Sequence, residues 1–177
     1  MKMRIIGGQH KGKIITAPKT ANTRPTTDFA KEALFNILNN KISYNKLKVL
    51  DLFCGTGNIS YEFASRGAEV LSIDKNFKLI KYIKFTAAQM DMKIISRKAD
   101  VFTFIKNSYE KFDLIFADPP YNLENIKDIH KIIFSKNLLN DDGILIIEHG
   151  RENNLSLLEN FSEKRTYSRV NFSFFKK

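Results

Sequence analysis

The 177 residues predict an α/β fold built on a parallel sheet, preceded by an N-terminal hairpin-helix extension. Three observations carry this prediction. From Lys48 onward, short apolar runs alternate with stretches of helical period. The first of these runs meets its helix through Asp51-Leu52-Phe53-Cys54-Gly55-Thr56-Gly57-Asn58, a glycine-rich turn. Strands separated by single helices pair in parallel through right-handed crossovers, because an antiparallel partner needs only a tight turn.

The elements follow in order. Arg4-Ile5-Ile6 and Lys13-Ile14-Ile15-Thr16 flank Gly7-Gly8-Gln9-His10-Lys11-Gly12, the pattern of a short hairpin with a basic tip. Residues 17–24 are a polar connector. Pro25-Thr26-Thr27-Asp28 supplies a proline and then capping residues, so a helix begins there and covers residues 29–39. Ala30, Leu34, Ile37 and Leu38 fall on one face of it. Sheet strands are expected at residues 49–53, 69–74, 94–98, 113–117 and 144–148, with helices at 58–66, 77–90, 101–109 and 126–135. Gly67 stands where a helix C′ glycine belongs. Residues 164–168 and 171–175 read as a terminal antiparallel pair. The expected organisation is a basic extension over 1–47 and one domain over 48–177.

Composition narrows the function. At 43% hydrophobic the chain can bury a core. No apolar run approaches the roughly 18 residues of a membrane span, and the first residues lack a signal peptide's apolar stretch. Cys54 is the only cysteine, so neither an internal disulfide nor a thiolate metal cluster can form. His10, His130 and His149 have no ligand spacing, and no metal is expected. A cytoplasmic monomer is the expectation. The net charge of +10 favours a polyanionic partner. Seven bases and one acid lie between Met1 and Lys31, so most of the excess is concentrated there.

Asp118-Pro119-Pro120-Tyr121 closes the apolar run Phe112-Asp113-Leu114-Ile115-Phe116-Ala117. Open α/β sheets bind ligands at the carboxyl ends of their strands. The prolines remove two backbone donors and leave carbonyls to face a ligand. Asp118 adds an anionic acceptor, and Tyr121 adds a flat face. The set suits a flat base with an exocyclic amine: the ring stacks on Tyr121, and the amine hydrogens go to Asp118 and the Pro119 carbonyl.

In the glycine turn, Ser60 stands where a dinucleotide fingerprint has Gly or Ala. Asp51, four residues before Gly55, would repel a pyrophosphate but suits the sulfonium and ammonium of S-adenosylmethionine. Asp74 ends the next strand and can accept from ribose hydroxyls. Asp100 can accept from the adenine amine or cap the helix that starts at Val101. Phe53, Gly55, Gly57, Lys75 and Val101 complete the candidate donor site. Cys54 sits inside the turn, which fits a small buried residue better than a nucleophile.

Arg4-Ile5-Ile6-Gly7-Gly8-Gln9, Arg24-Pro25-Thr26-Thr27-Asp28, Lys31-Glu32 with Leu34-Phe35-Asn36, the 51–57 loop and Asp118-Pro119-Pro120-Tyr121 occur in that order. Together they resemble the bacterial 16S rRNA (guanine-N2) methyltransferase family, the RsmD type. The likeness runs from about Arg4 to about Glu148. It implies a Rossmann-like S-adenosylmethionine-dependent methyltransferase sheet of seven strands, the last antiparallel. It also implies S-adenosylmethionine as methyl donor. The acceptor it implies is a guanine of 16S rRNA, position 966 in the usual rRNA numbering, in the 30S subunit or its precursor. Asp118, Pro119 and Tyr121 become the expected catalytic set. Arg4, His10, Lys11, Lys13, Arg24, Thr26, Lys31 and Pro120 become the expected RNA contacts. A DNA adenine-N6 methyltransferase shares the Asp-Pro-Pro-Tyr motif, and a non-catalytic RNA-binding assembly factor could share the fold.

Overall fold

The computed structural model describes residues 2–18 and 28–177. Arg24, Thr26 and the start signals around Pro25 lie outside the described residues. The elements are β1 (Lys2–Arg4), β2 (Ile14–Thr16), α1 (Asp28–Asn39), β3 (Lys48–Leu52), α2 (Asn58–Ser65), β4 (Glu69–Asp74) and α3 (Phe77–Gln89). Then come β5 (Ile94–Lys98), α4 (Val101–Asn107), β6 (Phe112–Ala117), α5 (Ile126–Ser135), β7 (Leu139–His149), β8 (Phe161–Tyr167) and β9 (Val170–Lys176).

β3 to β9 form one sheet of seven strands in the order β5-β4-β3-β6-β7-β9-β8. β5, β4, β3, β6 and β7 pair in parallel. β9 lies between β7 and β8 and is antiparallel to both. The expected α/β sheet of seven strands with its last strand antiparallel is therefore what the chain forms.

The strands' period of two divides the core. Leu50, Leu52, Ile115 and Ala117 face α4 and α5, packing on Val101, Ile105, Ile126, Ile129 and Ile133. Val49, Leu114, Phe116 and Ile146 face the other way and pack on Leu34, Phe35 and Leu38 of α1 and on Ile59 and Phe63 of α2. Each buried Val, Leu, Ile or Phe among them contributes about 1.5–3 kcal/mol relative to exposure. Asn76 caps α3 at its start, and its side chain accepts from the backbone N–H groups of Lys78 and Leu79.

β7 starts at Leu139, five residues before the predicted strand. Leu139 pairs with Phe112, and the register shifts before Ile144 joins Leu114. The intervening Asn140-Asp141-Asp142-Gly143 is polar, so it carries no strand signal of its own.

The N-terminal hairpin adds a third patch of core: Met3, Ile5, Ile15 and Ala17 are buried against Tyr61 of α2 and Ile80, Ile83 and Ala87 of α3. α2 also supplies polar anchors. The Ser65 hydroxyl donates to Gly7 O at 2.6 Å and accepts from His10 N at 3.0 Å. Gln9 N donates to Ser65 O at 2.7 Å. Gly8 has φ 75°, and a Cβ there would meet Ser65 O at 2.0 Å. The two glycines let the hairpin backbone close on the end of α2.

Candidate active site

Strand order reverses between β3 and β6, which places the 53–57 loop beside the start of Asp118-Pro119-Pro120-Tyr121. A crevice opens at such a switch point. Asp118 N donates to Leu52 O at 3.3 Å and ties the two strand ends together.

The loop is held in a narrow conformation. Phe53, Gly55 and Gly57 all have positive φ, at 59°, 53° and 82°. Cys54 N donates to Ile73 O at 3.1 Å, and Gly57 N donates to Cys54 O at 2.8 Å. A Cβ on Gly57 would meet Ile83 Cγ1 at 2.9 Å, so only glycine lets α3 pack this close. Cys54 itself is buried, and that burial pushes its thiol well above the usual range. It is not poised as a nucleophile.

Three acids surround the loop, each held differently. Asp74 Oδ2 accepts Gly55 N–H at 3.0 Å, and Oδ1 accepts Asn76 N–H at 2.7 Å. It fixes the loop and retains further lone pairs for a ligand. Asp51 is only 1% exposed and accepts from the Ser60 hydroxyl, which also shares a 2.7 Å hydrogen bond with Ser72. Ser60 thus replaces the fingerprint's third small residue with a polar strut between β3, α2 and β4. Burial pushes the Asp51 carboxyl up to about 7 against the Ser60 hydrogen bond, and Asp74 pushes the same way. Asp100 accepts Thr103 N–H at 2.9 Å, which lowers its carboxyl from the usual value. It is an N-cap, exposed at its outer side, with Val101 buried behind it. Phe53 lies edge-on to Phe102 at 6.4 Å, and Lys75 is exposed.

At the β6 end, Asp118 is half-buried and Pro119 buried, while Pro120 is exposed and Tyr121 is 51% exposed. Burial pushes the Asp118 carboxyl well above the usual carboxylate range, and the nearby charges of Glu148 and Asp51 add to the rise. The crevice thus gathers carboxyls held toward their neutral forms, and a cationic ligand, which favours the ionised carboxylate, fits it better than a pyrophosphate.

The expected RNA contacts separate into two groups. Arg4, Lys11 and Lys13 are exposed on the hairpin. His10 is buried, and Lys31 is 0% exposed. Lys31 is a correction to the expected surface contact. Its Nζ donates to Arg4 O at 2.7 Å and Asn58 Oδ1 at 2.9 Å, and pairs with Glu62 Oε1 at 2.9 Å. All three of its protons are thereby used inside the protein. Glu62 also accepts Ile6 N–H at 2.9 Å and pairs with Arg66 at 2.6 Å. The Arg66 guanidinium lies over the Phe35 ring at 4.2 Å. Glu62 and Arg66 escaped the sequence reading because charged residues on a helix ordinarily face water.

A second omission lies in the tail. A cleft of about 330 Å³ is lined by Tyr121, Gly150, Arg151, Glu152 and Arg169. His149 closes β7 onto β9 through Nε2 and Ser173 Oγ at 2.8 Å, and its burial lowers its basicity. Among the described residues no cluster of His, Cys, Asp and Glu could hold a metal ion, and no helix is long and apolar enough to cross a membrane.

A family model described as conserved hypothetical protein 95 matches residues 3–176. The chain belongs to this family. The resemblance to the RsmD type is borne out by the relatives that carry the name. "Ribosomal RNA small subunit methyltransferase D" of Buchnera aphidicola subsp. Baizongia pistaciae is 30% identical, over 88% of this chain and 79% of that protein. "Putative rRNA methyltransferase YlbH" of Bacillus subtilis is 31% identical over 99% of both chains. The solved Thermus thermophilus 16S rRNA N2 G1207 methyltransferase, in complex with AdoMet and guanosine, shares the fold at 18% identity. It aligns with TM-score 0.78 over all of this chain and 50% of that one. This RsmD-type chain is thus a methyltransferase by family.

Proposed function

We propose that this RsmD-type protein transfers a methyl group from S-adenosylmethionine to the exocyclic N2 amine of a guanine in 16S rRNA, within the small subunit or a precursor. The observation that carries the reading is the switch-point crevice, where Asp118-Pro119-Pro120-Tyr121 faces a loop ringed by Asp51 and Asp74. The family's named members, described as acting on small-subunit rRNA, support it. So does the shared fold with an enzyme named for guanine N2.

The residues that would hold the donor are Asp51, Phe53, Gly55, Gly57, Asp74, Lys75, Asp100 and Val101. When bound, S-adenosylmethionine supplies an electrophilic methyl group on a sulfonium that departs as a neutral thioether. The chain's own residues solve the remaining difficulty, which is the amine. Guanine N2 is a weak nucleophile because its lone pair is delocalised into the ring. Tyr121 stacks the unstacked base. Asp118 accepts one amine hydrogen and the Pro119 carbonyl the other, which turns the lone pair toward the methyl group. Positive charge grows on the nitrogen as the bond forms, and Asp118 stabilises it. Its raised affinity for protons suits Asp118 to take the proton the amine then loses.

In this reading residues 1–47 are an RNA-contact extension packed onto the methyltransferase domain 48–177. Arg4, Lys11 and Lys13 meet phosphates, with Arg24, Thr26 and Pro120 as further contacts. The test is to incubate the protein with labelled S-adenosylmethionine and small subunits lacking the modification, then map the product. Label on guanine N2 of 16S rRNA is the expected result. Label on adenine N6 of DNA, with none on small subunits, would replace this reading with the DNA enzyme. Donor binding without transfer to either would favour a non-catalytic assembly factor.

A further inference from the structure

The carboxyl edge of the sheet does not stop at Tyr121. In the order β6-β7-β9-β8 it continues through Gly150-Arg151-Glu152 after β7 and Ser168-Arg169 between β8 and β9. These two turns are joined. Arg151 Nη2 donates to Ser168 O at 2.8 Å, and Asn171 Nδ2 donates to Gly150 O at 3.1 Å. Together with Tyr121 they enclose the cleft of about 330 Å³. Beyond the turn, Tyr167 meets the ring of Phe29 edge-on at 6.2 Å, and Phe29 is 66% exposed. Aromatic rings thus stand at both ends of a short edge, with two guanidiniums between them.

We propose that single-stranded RNA next to the target guanine runs along this edge, from Tyr121 across Arg151 and Arg169 to Phe29. The inference rests on the rRNA reading above and adds a place for the flanking nucleotides. A base stacked on Tyr121 brings its sugar and phosphate with it, and the cleft beside that ring has room for one phosphate. Guanidiniums present planar donor forks that match phosphate oxygens. Glu152 shares the cleft and leaves it one net positive charge, which matches a single phosphate rather than a dense polyanion. Phe29 offers a face to the next base. Stacking rings alternating with cations are how proteins bind single strands without reading their sequence. The edge therefore fixes the direction of the strand, while the choice of base stays with Asp118, Pro119 and Tyr121.

The test compares Arg169→Glu, Arg169→Lys and Phe29→Ala with the wild-type chain on unmodified small subunits. Arg169→Glu raises KM for small subunits about tenfold or more and reduces the salt slope of RNA binding by about one phosphate equivalent. Arg169→Lys recovers most of that loss. Phe29→Ala raises KM about fivefold or more. Donor affinity, read by calorimetry, stays at the wild-type value in all three. Wild-type KM and salt slope in both Arg169→Glu and Phe29→Ala would overturn the track while leaving rRNA methylation in place. A general loss of donor affinity in these variants would make the residues structural and also overturn it. If the wild-type chain itself leaves small subunits unmethylated, the rRNA reading fails and the track falls with it.

Discussion

Asp118 and Asp51 are both acids pressed toward their neutral forms, and the consequences differ. For Asp118, burial acts first, then the charges of Glu148 and Asp51. Its ionised form is needed to accept the amine hydrogen. Turnover should therefore fall as pH drops through a value well above the ordinary carboxylate range. A kcat–pH profile reads this, and a flat profile down to the usual carboxylate range would exclude Asp118 as the acceptor. Asp118→Ala should lower kcat by about two orders of magnitude or more while leaving donor affinity nearly intact. Asp51 is pushed to about 7, with burial the main cause. An acid whose folded value lies above its unfolded one favours the folded state while protonated. Its contribution to stability thus declines as pH rises from the ordinary carboxylate range through about 7. A bound cation reverses the preference, because it favours the charged carboxylate. Donor affinity should rise between about pH 6 and pH 8, by at most about tenfold per unit. Asp51→Asn should remove that part of the slope. Calorimetry across this range in both proteins is the check, and equal slopes would show that Asp51 does not sense the donor.

The hairpin and α2 behave as one element, and here the sequence signal was ambiguous for a physical reason. Gly7-Gly8 says that some backbone comes close, but not which. The partner is Ser65, more than fifty residues away, and no local pattern announces it. Lys31 misled in the same way. A lysine on a helix ordinarily faces water, and only the three-dimensional meeting of Arg4, Asn58 and Glu62 shows that this one does not. The alternating strands, by contrast, were legible because Leu50, Leu52, Ile115 and Ala117 carry their own periodicity. Asp51, Asp74, Asp100 and Asp118 were legible because strand ends and the first glycine turn locate them. The β7 extension was not, since its residues 140–143 are polar and pair only through tertiary register. The buried charge node makes a sharp prediction. Glu62→Ala removes the ion pair of Arg66, leaves Lys31 only the exposed Asp28 at 3.8 Å, and frees Ile6 N–H. It should destabilise the fold by about 3–5 kcal/mol in chemical denaturation. Gly8→Ala should also destabilise, because its Cβ has no space at Ser65 O. Wild-type stability in Glu62→Ala would mean that the node is solvated in solution.

At the scale of the whole molecule, the +10 charge is not evenly available to a partner. Lys31 is buried and already shares Glu62 with Arg66, and Lys41 and Arg165 share Glu163. Lys11 and Lys13 are different, being exposed on the hairpin tip without ion pairs among the described residues. The hairpin's two faces therefore do separate work. Met3, Ile5, Ile15 and Ala17 hold it to α2 and α3, so deleting the hairpin should destabilise the domain by exposing that surface. Replacing only Lys11 and Lys13 with alanine removes two outward charges and no buried contact. Thermal stability and donor affinity should both stay at the wild-type level. RNA binding should weaken at low salt, and its dependence on salt should flatten by about two phosphate equivalents. Binding to small-subunit rRNA over a salt series measures this directly. An unchanged slope in the double variant, with unchanged methylation of small subunits, would assign the tip to solvent and leave the RNA contact to the carboxyl edge alone.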